Sequence, residues 1–225
     1  MAYLGPGSAG HYVKMVHNGI EYAIMELIAE TYDLMKRGFG LSDDEMHTVY
    51  AQWNQQELNS FLLEITANIF EKVDPTTGRR LIDVILDVAR QKGTGMWTSQ
   101  DAMELHVPVP SIDTAVEMRD LSVFENERKT ANAELAGPTA RYHQDRHASI
   151  PQLANALYMG MIIAFAQGFT QLRAASTAYQ YDIHLDDVAR IWRGGCIIRA
   201  ELLQRILQIY QQQPALANLL LDAGL

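Results

Sequence analysis

Five polar side chains near the start of the chain, Lys14, His17, Asn18, Glu21 and Tyr22, recur three or four residues apart inside an otherwise apolar run. On an α-helix that spacing puts them on one face. The face combines a potential base, a potential acid and hydrogen-bond donors. A lysine and a glutamate two turns apart can act as proton acceptor and proton donor if burial and neighbours draw their pKa values toward neutrality. The same residues also fit a solvated helix face with a weak Lys–Glu attraction. Spacing alone leaves both readings open.

Other constellations carry less. Gly5-Pro6-Gly7-Ser8-Ala9-Gly10 satisfies the G-x-G-x-x-G fingerprint of dinucleotide-binding loops. Such a loop works where a strand delivers the chain to a helix N-terminus within a βαβ unit. Here four residues precede it and helix follows helix, so it reads as a flexible entry to a helix. His143 and His147 have an i, i+4 spacing that suits zinc, but no third ligand accompanies them and a solvated loop is expected. Cys196, the single cysteine, has no partner for an internal disulfide. It reads as a packed small hydrophobe in a reducing cytoplasm. Trp53, Trp97 and Trp192 read as core or interface anchors, and Gly194-Gly195 as a site of close helix packing.

Positioning the strip requires helices, and the chain supplies the pattern for them. His11 to Arg37 carries Val13, Val16, Ile20, Ala23, Ile24, Leu27, Ile28 and Met35 at helical spacing. Gly38 and Gly40 end that run. Ser42 with Glu45 three positions later has the form of a capping box, opening a helix that runs toward Asn54. Further helices are expected over Gln56 to Phe70, Leu81 to Arg90, Ser99 to Leu105 and Ser111 to Arg128. The pattern resumes over Ile150 to Tyr179, Leu185 to Trp192 and Ile197 to Tyr210, with a short last helix from Pro214. Asp74-Pro75-Thr76-Thr77-Gly78 reads as a turn. No alternating runs accumulate toward a sheet, so the fold class is all-α. Residues 1–10 read as a junction and 11–225 as one helical domain.

The 225 residues are 48% hydrophobic, enough for a sizeable core. A net charge of -9 disfavours a nucleic-acid partner, which needs a basic field. The most apolar stretch, Tyr158 to Phe169, is too short for a membrane span and fits a buried core helix. No charged and apolar leader opens the chain.

Three longer motifs carry a resemblance. Gly10-His11-Tyr12-Val13-Lys14-Met15-Val16-His17-Asn18-Gly19-Ile20-Glu21-Tyr22 resembles the signature helix of the 6-phosphogluconate dehydrogenases. Gln91-Lys92-Gly93-Thr94-Gly95-Met96-Trp97-Thr98 is similar to that family's K-G-T-G-K-W-T segment, and Ile191 to Arg199 to its W-R-G-G-C-I-I-R segment. They occur in the family's order along the whole chain. The resemblance implies an NADP-dependent oxidative decarboxylation of 6-phosphogluconate to ribulose 5-phosphate, in a cytoplasmic homodimer. It casts Lys14 as the base at the C3 hydroxyl and Glu21 as the acid that protonates C1. His17, Asn18 and Tyr22 would hold substrate, with Asn18 also near the nicotinamide. Arg119 matches the arginine that takes the substrate phosphate, for which a planar fork of donors is suited.

Two departures qualify these expectations. Met96 stands where the family has a lysine against the phosphate, and a thioether supplies neither charge nor a donor. Thr98 is kept as a substrate-binding residue beside it, and weaker or altered substrate binding is expected from the loss of one phosphate anchor at Met96. The family also has an N-terminal cofactor-binding domain and a C-terminal tail that reaches the partner subunit. Neither is recognisable in this sequence, so the isolated chain is expected to be inactive. A non-catalytic dimerisation or regulatory module derived from the family is the alternative.

Overall fold

The computed structural model describes residues 2–137, 142 and 145–225. Among them are no strands, only the isolated bridges Ser60–Ala200 and Val73–Arg80, so the all-α expectation holds. Helix α1 (Ala9–Asp33) is the axis of the molecule. Its stripe of Val13, Val16, Ile20, Ala23, Ile24 and Ile28 is buried, as the periodicity requires. A π turn, Leu34–Gly38, closes it by burying Met35, and Gly40 at φ 68° reverses the chain. Helix α2 (Asp43–Trp53) then begins with the expected capping box. Glu45 N–H donates to Ser42 Oγ at 3.3 Å, and Ser42 N–H to Glu45 Oε2 at 2.8 Å. Asp74 closes the expected turn, its carbonyl accepting from Gly78 N–H at 2.9 Å.

The remaining helices are α3 (Phe61–Glu71), α4 (Thr94–Glu104), α5 (Pro110–Ser122), α6 (Glu125–Glu134), α7 (Arg146–Ala178), α8 (Leu185–Trp192) and α9 (Leu202–Gln212). α1 packs against α7 on one side and α4 and α5 on others, while α2 pairs with α3 and α8 with α9. Glycines let α7 come close to α1. A Cβ on Gly168 would fall 2.4 Å from Ile20 Cδ1, and one on Gly160 2.9 Å from Leu27. α7 is long and apolar enough to cross a membrane by length and composition. Here Leu157, Met161, Phe165, Phe169 and Leu172 lie in the core instead.

Several expected helices differ. Leu81 to Arg90 forms only the single 3₁₀ turn Leu81–Asp83. Its apolar spacing meets no partner face, and Ile85 and Leu86 stay exposed. Side-chain ties hold that segment instead, among them Arg128 to Asp87 at 2.7 Å and Ala89 N–H to Ser122 Oγ at 2.9 Å. Ser111 to Arg128 is two helices, because Ser122 Oγ takes the Arg119 carbonyl at 2.6 Å as α5 ends. The run from Gln56 becomes helical only at Phe61, where Ser60 caps Leu63 N–H. The run from Ile197 becomes helical at Leu202, and Pro214 starts no helix, a 3₁₀ turn following at Leu219–Leu221. His147 lies in the first turn of α7 rather than a loop, and His143 lies outside the described residues.

Candidate active site

The five-residue strip occupies the face of α1 that looks toward α4 and α5. His17 is its hub. The side chain is 1% exposed, and its Nδ1 lies 3.0 Å from Lys14 Nζ, 3.1 Å from Asn18 Oδ1 and 3.8 Å from Glu21 Oε2. With Lys14 charged, the ammonium donates to Nδ1 and the ring proton sits on Nε2, which is buried without a hydrogen-bond partner. With Lys14 neutral, Nδ1 is free to hold the proton and donate to Asn18. The imidazole edge also meets Trp192, ring centroids 5.6 Å apart. The acid and base candidates thus flank one ring.

Electrostatics follow from that enclosure. Burial, reinforced by the neighbouring Lys14 charge, pushes the His17 pKa down to about 4. Burial raises the Glu21 carboxyl above its ordinary value, with Lys14 and Arg119 pulling the other way. A carboxylic acid that holds its proton more tightly than usual suits a proton donor. Glu26, one turn on, is raised for the same first reason and by the Glu30 charge. Lys14 itself is exposed on the strip.

α4 supplies the opposite wall. Gly93, at φ 104°, turns the chain into the helix without a side-chain cap. The first intrahelical bond is Trp97 N–H to Gly93 O at 2.9 Å, so the amides of Thr94, Gly95 and Met96 precede it. Bare amides and the positive helix end favour an anion. Asn18 Nδ2 donates to Thr94 Oγ1 at 3.1 Å, which puts this turn beside the acid–base strip. Gly95 lies under Tyr22, where a Cβ would fall 2.4 Å from the ring. On the same ring stacks Arg119 from α5, its Cζ 3.8 Å from the centroid, while Nη1 donates to Arg90 O at 3.1 Å.

Seven of the eight residues singled out in the sequence therefore converge. Met96 is 37% exposed at the rim of the α4 turn. Thr98 is 0% exposed, and its hydroxyl lies within donating reach of Met15 O and Thr94 O, both at 2.9 Å, so it braces α1 against α4 one turn into the same helix. The bare α4 turn is the functional element sequence reasoning missed. Its signal was the glycine of Lys92-Gly93-Thr94, standing where a Ser or Asp cap is usual.

The glycine-rich start behaves as a helix entry, with Gly5 and Gly7 at positive φ and no strand before them. Gly195 has positive φ and open space around it, so Gly194-Gly195 makes a turn and not a close helix contact. Cys196 donates to Trp192 O at 2.9 Å and is half-buried. Trp53 and Trp192 are buried and Trp97 is half-exposed.

Fold and site define the class: an all-helical domain that sets a lysine–histidine–glutamate strip against an anion-receptive helix end. The chain belongs to the 6-phosphogluconate dehydrogenase family, whose C-terminal domain model matches residues 10–225. It is 51% identical over 98% of its length to the decarboxylating 6-phosphogluconate dehydrogenase of Synechocystis sp., covering 46% of that protein. It is likewise 51% identical to the NADP(+)-dependent enzyme of Bacillus subtilis, covering 47% of it. The Plasmodium falciparum 6-phosphogluconate dehydrogenase, solved in apo form and with NADP+ or 6-phosphogluconate, superposes with a TM-score of 0.95. That match has 43% identity over 99% of this chain and 48% of that one. The chain spans about half the length of these relatives.

Proposed function

We propose that this chain is the substrate-binding and acid–base half of an NADP-dependent 6-phosphogluconate dehydrogenase. The observation that carries this reading is the placement of Lys14 and Glu21 on either side of His17, beside the bare N-terminus of α4. Arg119 and the α4 amides receive the phosphate of 6-phosphogluconate, and Asn18, His17 and Tyr22 orient the sugar acid. Lys14 takes the proton of the C3 hydroxyl. NADP, held mainly by residues outside this chain, supplies the hydride acceptor for C3. Loss of the carboxylate as carbon dioxide, with Lys14 returning its proton to the C3 oxygen, leaves an enediol. Glu21 then delivers a proton to C1 as Lys14 takes the hydroxyl proton back, which gives ribulose 5-phosphate. One proton enters at Lys14 and one leaves at Glu21, so the pair resets by passing a proton between them.

The raised pKa of Glu21 supports its part as donor. A non-catalytic dimerisation module would have no need of a buried acid and a lysine sharing one imidazole. We also assign the chain to a cytoplasmic homodimer formed through its helical face, which sedimentation tests. The test of function joins this chain to the part of the Bacillus subtilis relative that it does not cover, and follows NADPH formation. Turnover is expected from the joined protein and none from the chain alone. Lys14→Met is expected to abolish turnover with helicity unchanged, and near-normal turnover in that variant would overturn the role of Lys14.

A further inference from the structure

α4 runs antiparallel to α1, and three polar contacts join them in series. Asn18 meets Thr94 at 3.1 Å, Thr98 Oγ1 meets Met15 O at 2.9 Å, and the Tyr12 hydroxyl donates to Asp101 Oδ2. As the partner on α1 steps back from 18 to 15 to 12, the partner on α4 advances from 94 to 98 to 101. Between the contacts the helices touch: a Cβ on Gly19 would fall 2.6 Å from Thr98 Cγ2. The Tyr22 ring over Gly95 adds a second close approach, and the polar contacts set the register in which both fit. The contact farthest from the active site is the most heavily built. Asp101 also accepts from Tyr179 at 2.7 Å, and Gln171, 0% exposed, donates to Tyr12 Oη at 3.3 Å and Thr98 O at 2.9 Å. Tyr12, Tyr179 and Tyr181 pack with centroids 5.5–5.8 Å apart, Tyr12 edge-on to Tyr179 and the other two pairs tilted. Ser8 Oγ lies 2.9 Å from Tyr181 Oη, fastening the entry to α1 onto the same cluster.

We propose that Asp101 is a positioning residue, a register lock that fixes how far α4 has slid along α1 and so how the α4 N-terminus faces Lys14, Asn18 and Glu21. It touches no substrate. Tyr12 is its partner on α1, and Gln171 and Tyr179 tie both to α7. Its innermost member, Gln171, is buried, and hydrogen-bonded networks of this kind specify one arrangement of the elements they join. If the lock opens, the helices keep their apolar contacts and stay folded, but the anion-receptive turn drifts from the acid–base strip. A shift of an ångström at such a site is costly to binding.

The inference rests on the proposed substrate, and its test separates the two. Calorimetry with 6-phosphogluconate is run on the chain, on Tyr12→Phe and on Asp101→Asn, with circular dichroism as the folding control. In parallel, the side-chain amide resonance of Asn18, which reports its contact with Thr94, is followed without ligand. The expected result is affinity about tenfold weaker in each variant, no further loss in the double variant, unchanged helicity and a displaced Asn18 signal. Lower thermal stability with unchanged affinity and an unmoved Asn18 signal would mean a merely structural role and overturn the proposal. If the unaltered chain binds no 6-phosphogluconate, the substrate reading fails, and the Asn18 signal alone decides the register lock. Should Asp101→Asn not fold, Tyr12→Phe, which removes one hydroxyl, carries the same decision.

Discussion

The enclosed His17 makes the stability of this chain depend on pH in a direction that can be worked out. In the unfolded chain the imidazole titrates at its ordinary 6.5, whereas in the folded chain burial and Lys14 hold it to about 4. Between those values the unfolded state binds the extra proton, so stability rises with pH and is lost on acidification. The side chain is 1% exposed, so solvent screening takes little from the effect. The difference amounts to about 3 kcal/mol in all, accumulating at up to about 1.4 kcal/mol per pH unit. Glu21 works oppositely. Its raised carboxyl contributes stability that is full below the ordinary carboxylate value and fades as pH rises through the folded one. Comparing the chain with His17→Gln removes that contribution from the difference. Urea denaturation of both proteins at intervals from pH 4 to 7 is the assay. The unaltered chain is expected to lose about 3 kcal/mol more than the variant on acidification. Nuclear magnetic resonance is expected to show a His17 midpoint near 4, rising in Lys14→Met but staying below 6.5 because burial is the larger cause. A flat difference curve, or a midpoint near 6.5 in the unaltered chain, would refute the reasoning.

Gly19→Ala gains helix propensity but drives a methyl to 2.6 Å from Thr98. The clash outweighs the gain, and a net loss of about 1–2 kcal/mol is expected in thermal unfolding; a more stable variant would contradict the close α1–α4 contact. Phe169, 0% exposed, edge-on to Trp192 at 5.4 Å and stacked on Tyr210 at 5.3 Å, anchors the α7–α8–α9 core. Phe169→Ala is expected to cost about 3–5 kcal/mol in denaturant titration, and a cost under about 1 kcal/mol would argue against that packing. Met96→Lys adds a cation at the exposed rim of the α4 turn and is expected to tighten 6-phosphogluconate binding about tenfold at low salt. Unchanged affinity in calorimetry would remove Met96 from the phosphate subsite.

Much of this structure is written in local signals. The α1 stripe, the Ser42–Glu45 capping box and the turn at Asp74 follow from residue types and spacing, and each is present. Where the sequence misleads, the deciding contacts are distant in the chain. Leu81 to Arg90 has helical spacing but no face to bury it, and Arg128 and Ser122 hold it as irregular chain. The break between α5 and α6 has no Gly or Pro to announce it. At the site, the strip on α1 was readable because one helix carries it. Its meaning was not, since the shared His17 nitrogen depends on rotamers and the α4 turn arrives from residues 93–97. Thr98 illustrates the limit: its motif gives no sign that Gly19 closes on it and that it braces α1 against α4.

The central claim is that the groove between the α1 strip and the α4 turn receives the substrate. Its most direct test is a titration of this chain with 6-phosphogluconate, followed by amide resonances. Saturable shifts are expected at Asn18, at Thr94 to Trp97 and around Arg119, and they should vanish in Arg119→Ala. Absence of shifts, or shifts gathered elsewhere such as the cavity beside Arg173 and His184, would contradict the account.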